Sequence, residues 1–142
     1  MFNYIHSTDP DFSGMLRFLT DELFAAERKG ERVWILGHVL TGWTGAEALD
    51  KPANLFFQIV SRFTPHTIAA IFFGHTHQDH FSVFYRAQSG ASRDISRHTR
   101  DARTVSFVGP SVTPLTNVNP SFRVYQVDPI TVSYTHLTLP TS

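Results

Sequence analysis

Two short Gly-His sequences hold the side chains of this chain that are best suited to bind metal ions. Gly74-His75-Thr76-His77 follows the apolar run Ile68–Phe73, and Gly37-His38 follows the apolar run Val33–Leu36. Glycine permits a tight turn and a close backbone approach, and imidazole is a good ligand for zinc and similar cations. Two buried strands that each end in Gly-His predict one shared site at the edge of a sheet, where open α/β sheets bind their ligands.

The spacing of apolar residues predicts the elements that position these histidines. It predicts helices from Asp9-Pro10 to Gly30 and over 54–63, and strands over 32–36, 68–73, 81–85, 104–108 and 122–127. Asp9 suits the N-cap of the first helix, Pro10 suits its first turn, and Gly30 suits its C-terminal end. The order helix, strand, helix, strand, followed by a strand-rich end, predicts an α/β fold.

Composition excludes several classes of function. The chain has 142 residues, which favours one domain or part of one. Its 12 Lys and Arg residues balance 12 Asp and Glu residues, so no net charge attracts nucleic acid. Cysteine is absent, so disulfides and thiolate ligands are excluded. No apolar run approaches the ~20 residues of a membrane span, so no transmembrane segment is expected. Nothing in the sequence predicts an oligomeric state.

The ordered set of motifs resembles the C-terminal half of a calcineurin-like metallophosphoesterase. The resemblance is to the acid sphingomyelinase-like branch (sphingomyelin phosphodiesterases), and within it to the fungal members. The motifs that carry it are, in order, Gly37-His38-Val39, Gly74-His75-Thr76-His77, the 109–114 segment Gly-Pro-Ser-Val-Thr-Pro, Asn119-Pro120 and Phe122-Arg123-Val124-Tyr125. It implies that residues 1–128 form the C-terminal part of a two-sheet α/β/β/α sandwich.

The resemblance also implies a site with two zinc ions bridged by a hydroxide. His38 and His75 match ligands of one metal, and His77 matches a ligand of the other. The implied reaction is hydrolysis of a phosphodiester, with sphingomyelin giving ceramide and phosphocholine as the leading case. A secreted or lysosomal/vacuolar location is implied in the same way.

Several parts of the family pattern are missing from this chain. The family's Asp-x-His, Gly-Asp-x-x-Asp and Gly-Asn-His motifs do not precede Gly37-His38, so no catalytic residue is assigned here. We therefore expect them in an absent N-terminal half, and expect the isolated chain to bind metal weakly and to be inactive. Residues 129–142 do not continue the family pattern either, resemble translated adapter read-through, and are expected to be a non-native tail.

Two alternatives remain open from the sequence. His75, His77, Asp79 and His80 also fit the His-x-His-x-Asp-His motif of the metallo-β-lactamase fold, although the predicted strand over 81–85 does not fit the helix that usually follows that motif. The other alternative is a non-catalytic remnant that binds a metal or a partner. In the preferred interpretation, Asp79 orients a ligand imidazole and His80 has no role in the site.

Overall fold

The computed structural model describes residues 9–41, 50–86, 99–115, 117–132 and 134–138, and its mixed α/β architecture confirms the predicted fold class. Neither helix in these ranges has the length and apolarity needed to cross a lipid bilayer. The elements are α1 (Met15–Lys29), β1 (Val33–Leu36), α2 (Asp50–Phe63), β2 (Ile68–Phe73), β3 (His80–Tyr85), a 3₁₀ turn (Thr99–Asp101), β4 (Ala102–Val108), β5 (Arg123–Val127) and β6 (Tyr134–Thr138).

Four strands form the main sheet in the order β1-β2-β4-β3. Strands β1, β2 and β4 are parallel, and β3 is antiparallel to β4. The carboxyl ends of the three parallel strands and the beginning of β3 therefore meet at one edge of the sheet. Strands β5 and β6 form a separate two-stranded antiparallel sheet.

The hydrophobic core lies between the two helices and one face of the main sheet. Leu23 of α1, Val60 of α2 and Ile71 of β2 are completely buried there. Phe56 of α2 contacts Phe73 of β2, with 6.0 Å between ring centroids. Burying side chains of this size stabilises the fold by about 1.5–3 kcal/mol each, so this layer holds β2 and its C-terminal turn in place.

Among the residues that the structure describes, the second sheet covers the middle of the opposite face. The ring of Tyr125 in β5 packs 4.9 Å from Phe72 and 6.0 Å from Phe107, measured between centroids. Leu36 pairs with Phe72 and Phe81 pairs with Phe107, so these four side chains form one row across the sheet. The ends of that row are open, since Leu36 is 75% and Phe81 is 62% exposed.

Helix α1 begins later than the sequence predicted. Its first residue is Met15, and Asp11 is the residue whose carboxylate accepts hydrogen bonds from the backbone N–H groups of Leu16 and Arg17, at 2.9 and 2.8 Å. The prediction that Asp9 caps this helix is therefore wrong. Gly30 ends the helix in a left-handed conformation, as predicted.

Part of the predicted tail forms a strand. Residues 134–138 pair with Arg123–Val127 as β6, while residues 133 and 139–142 lie outside the described ranges. The domain boundary at residue 128 and the non-native origin of the tail stay predictions.

Gly37 gives the first testable prediction, because a side chain there would collide with the core. A β-carbon at this position would lie 2.8 Å from Cε1 of Phe73, whose ring is buried against Phe56. We expect Gly37→Ala to lower the free energy of unfolding by about 1–3 kcal/mol in urea denaturation, as overpacking does.

Gly74→Ala is the matched control for Gly37→Ala. A β-carbon at Gly74 would make only an ordinary contact, 3.5 Å from Nδ1 of His38. Its effect on unfolding should stay below about 0.5 kcal/mol. Equal destabilisation by the two substitutions would contradict this account of Gly37.

Candidate metal-binding edge

Three glycines continue the hydrogen bonding of the sheet beyond its strands. The N–H of Gly37 donates to the carbonyl of Phe72 at 2.9 Å, Gly74 donates to His38 at 3.0 Å, and Gly109 donates to Phe73 at 2.8 Å. The segments after β1, β2 and β4 therefore run side by side. As predicted, the two Gly-His sequences lie at the same edge of one sheet.

His38 and His75 come together at this edge. Their rings meet edge to face, with 5.3 Å between centroids and 75° between planes. Two imidazoles bound to one tetrahedral zinc at about 2.0–2.1 Å have centroids roughly 5 Å apart. The observed separation therefore fits two ligands of a single ion. His38 is exposed and His75 is half-buried, so the pair is open to solvent.

His77 faces a different part of the chain. Its Nδ1 lies 3.5 Å from the carbonyl oxygen of Leu115, in the loop that follows β4. An imidazole that donates Nδ1–H to a carbonyl keeps its lone pair on Nε2, and metal-bound histidines usually have such a partner on the second nitrogen. The contact with Leu115 therefore suits a ligand that binds through Nε2.

Both histidines of the Gly-His-Thr-His turn have unusual backbone conformations. His75 has φ of 78° and His77 has φ of 61°, which is the left-handed region. This conformation is uncommon for residues other than glycine, although histidine is several-fold enriched in it. Strained conformations of this kind cost of order 1–3 kcal/mol each and cluster at functional sites. Two such residues within one short turn make this turn a candidate functional site.

Asp79 has a different partner from the one predicted. We predicted that its carboxylate orients a ligand imidazole, whereas in the structure it accepts a hydrogen bond from the guanidinium of Arg123. His80 begins β3 opposite Val108, so the strand starts directly after the turn.

The structure does not gather all three predicted ligands into one cluster. Within the described ranges, no group of three or more His, Asp or Glu side chains is arranged to hold a metal ion. The hydroxyl of Thr76, between the two histidines of the turn, is buried and has no hydrogen-bond partner among the same residues. Orphaned polar atoms of this kind are rare in complete native sites, where other groups usually satisfy them.

The fold and this edge define a mixed α/β segment whose main sheet is followed by histidines at the carboxyl ends of two parallel strands. No family model matches the chain. Sphingomyelin phosphodiesterase 1 of Caenorhabditis elegans is 38% identical over 128 residues, which is 90% of this chain and 21% of the relative. Sphingomyelin phosphodiesterase of Homo sapiens is 41% identical over 124 residues, which is 87% of this chain and 17% of the relative. Sphingomyelin phosphodiesterase B of Dictyostelium discoideum is 41% identical over 123 residues, which is 87% of this chain and 18% of the relative.

Over about nine tenths of its length the chain is similar to these sphingomyelin phosphodiesterases, and it spans about a fifth of the length of the curated relatives it matches. The relatives named here are not fungal, so the expectation of a fungal member stays a prediction.

Sequence reasoning placed Arg123 in a motif but did not predict its contact with Asp79. In the strand Arg123–Val127, alternation puts Arg123 and Tyr125 on the same face. This alternation was the available signal. A charged side chain on the packed face of a strand requires a partner, because an unpaired buried charge is costly.

Proposed function

We propose that this chain is the C-terminal part of the catalytic domain of a metal-dependent sphingomyelin phosphodiesterase, which hydrolyses sphingomyelin to ceramide and phosphocholine. The observation that carries the proposal is the pairing of His38 with His75 at the ends of two neighbouring parallel strands. Identities of 38–41% over about nine tenths of the chain to sphingomyelin phosphodiesterases support the substrate. A secreted or lysosomal location is part of the same proposal.

In the proposed site, His38 and His75 would hold one zinc ion and His77 would hold a second. Such ions would supply a water of lowered pKa and positive charge for the reacting phosphate. Neutral imidazoles suit this task because they leave the net positive charge of the site available to the phosphodiester. The carbonyl oxygen of Leu115, 3.5 Å from Nδ1 of His77, is placed to accept a hydrogen bond from that nitrogen, which would leave Nε2 for the metal.

The site requires residues from outside this chain. Catalytic zinc normally has at least three protein ligands, so three imidazoles do not complete two centres. The orphaned hydroxyl of Thr76 supports the idea that further polar groups approach this turn. We infer that the group that protonates the leaving alcohol and the remaining ligands come from the larger part of the relatives that this chain does not cover, and that the chain alone is inactive.

The metallo-β-lactamase alternative is less well supported. It requires Asp79 as a metal ligand, but this carboxylate is engaged by Arg123. It also requires a helix after the motif, whereas β3 follows at once.

A non-catalytic remnant is the second candidate, and one observation favours it. Within the described ranges, no three ligand-type side chains form a metal-binding cluster. The coding sequence upstream of a remnant would lack the Asp-x-His and Gly-Asn-His motifs that the enzyme requires.

Recovery of that upstream coding sequence tests the proposal. The enzyme requires Asp-x-His and Gly-Asn-His motifs upstream, and the extended polypeptide should release phosphocholine from sphingomyelin, lose this activity to a chelator and regain it with zinc. An in-frame start without those motifs, or an extended polypeptide that shows no chelator-sensitive hydrolysis, would favour the remnant.

The 142-residue chain, purified without any extension, is the control for the extended polypeptide. We expect it to retain less than about one zinc ion per chain after dialysis, because its imidazoles do not complete either centre. Native mass spectrometry or metal analysis of the purified chain measures this directly. Two tightly held metals in the isolated chain would show that the site is already complete.

A further inference from the structure

Arg123 connects the second sheet to the turn that carries the histidines. It is the first residue of β5, its side chain is only 7% exposed, and its Nη2 donates to Oδ1 of Asp79. Asp79 lies between His77 and His80, and its side chain is 28% exposed. A nearly buried guanidinium from a distant part of the chain therefore holds the end of the turn.

The position of Arg123 is itself fixed by aromatic residues. Its guanidinium carbon lies 5.4 Å from the ring centroid of Phe107 in β4 and 5.9 Å from that of Tyr125 in β5. Nη1 also donates to the hydroxyl of Tyr125 at 3.3 Å. Arginine suits such a place because its planar group can stack on rings while its edge donates hydrogen bonds. Residues of both sheets therefore fix the position of the guanidinium that binds Asp79.

Stability alone does not explain this pair. The guanidinium of Arg123 is nearly buried whereas the Asp79 carboxylate is partly exposed, so the pair pays the desolvation cost of the cation for an attraction that solvent weakens. Nε of Arg123 is also buried with no hydrogen-bond partner in the described part of the chain, which adds to the cost. The turn, in contrast, needs a constraint, because the left-handed conformations of His75 and His77 persist only where the surroundings enforce them.

We propose that Arg123 is a positioning residue, which through Asp79 holds the segment from Gly74 to His80 in the conformation that presents His75 and His77. What the imidazoles bind rests on the function proposed above, whereas the constraint on the turn does not.

Hydrogen exchange in the full chain without metal tests the constraint. The amides of Gly74 and Thr76 are suitable reporters, since they donate to the carbonyls of His38 and Gly74. Arg123→Met should speed their exchange by at least about tenfold if the turn opens locally. Unchanged exchange at these two amides in a folded variant would overturn the proposal.

Arg62→Met is the matched control. Arg62 also forms an ion pair, with Glu27 at 2.9 Å, and its guanidinium lies 4.8 Å from the ring centroid of Phe63. Because this pair joins α2 to α1 on the other side of the sheet, Arg62→Met should speed exchange in the helices and leave Gly74 and Thr76 protected. Faster exchange at those two amides in Arg62→Met would show a global effect and contradict a specific role for Arg123.

A double variant separates positioning from stability and covers the case in which Arg123→Met does not fold. Arg123→Met combined with Asp79→Leu removes both charges, so its free energy of unfolding should return close to that of the wild type. Exchange at the turn should stay fast, and zinc affinity of the extended polypeptide should stay about 10–100-fold weaker, as after loss of an outer-shell partner.

A double variant with slow exchange at the turn would show that the pair is only structural. Failure of the wild-type polypeptide to bind zinc would count against the proposed function alone, because the exchange result does not depend on metal.

Discussion

Replacing His77 with glycine in the extended polypeptide should lower the rate of sphingomyelin hydrolysis by more than about 100-fold. This loss exceeds the roughly 10–100-fold that follows removal of a residue that only hydrogen-bonds to a metal ligand. Glycine is preferable to alanine because position 77 has φ of 61°, where a β-carbon adds strain. The substitution should therefore remove the imidazole without lowering the melting temperature. Initial rates of phosphocholine release and thermal unfolding, measured on the same preparation, separate the two effects.

His80→Gln is the control for His77→Gly. His80 belongs to the same turn region, but it begins β3 and has no assigned role in the proposed site. Its replacement should leave the rate of hydrolysis within about threefold of the wild-type rate. A threefold change corresponds to less than about 1.4 kcal/mol of transition-state stabilisation, which is the value for a tenfold change. Equal rates for His77→Gly and the wild type would remove His77 from the site. An equal loss for His80→Gln would point instead to general disturbance of the turn.

The second large effect concerns self-association of the isolated chain through the open face of the main sheet. Leu36 and Phe81 occupy the two ends of an apolar row and are 75% and 62% exposed. Burial of one such side chain contributes about 1.5–3 kcal/mol. Changing both to serine should therefore weaken association by at least about tenfold, because each 1.4 kcal/mol is tenfold. Sedimentation velocity over a concentration series measures this.

A pair of helix-side residues provides the control for this face. Phe12 and Phe18 are 68% and 66% exposed, so their replacement with serine removes a similar amount of exposed apolar surface. That variant should associate like the wild type if the sheet face is responsible. Equally weakened self-association in both double variants would mean that association depends on the total exposed apolar area and not on the sheet face.

Strand β2 was predicted with its observed bounds, because an uninterrupted apolar run between Pro65 and Gly74 leaves little freedom. Helix α2 begins at Asp50, before the predicted residue 54. Pro52 lies in the first turn of this helix, where proline is well tolerated because its missing N–H has no intrahelical partner. Local pattern therefore identified these elements and misplaced some of their ends.

The site was only partly predictable for a related reason. Sequence order and the parallel strands were enough to bring His38 beside His75. The direction of the His77 ring depends on Leu115, and the partner of Asp79 is Arg123, 44 residues later in the chain. These are long-range contacts of side chains, which periodicity does not encode.

The most direct test is a crystal structure of the extended polypeptide grown with zinc, with anomalous diffraction measured at the zinc edge. We predict two ions about 3.5–4 Å apart. One should be bonded to nitrogens of His38 and His75 and the other to Nε2 of His77, at about 2.0–2.1 Å. Anomalous peaks bound only by other residues, with these three imidazoles pointing away from every ion, would contradict it.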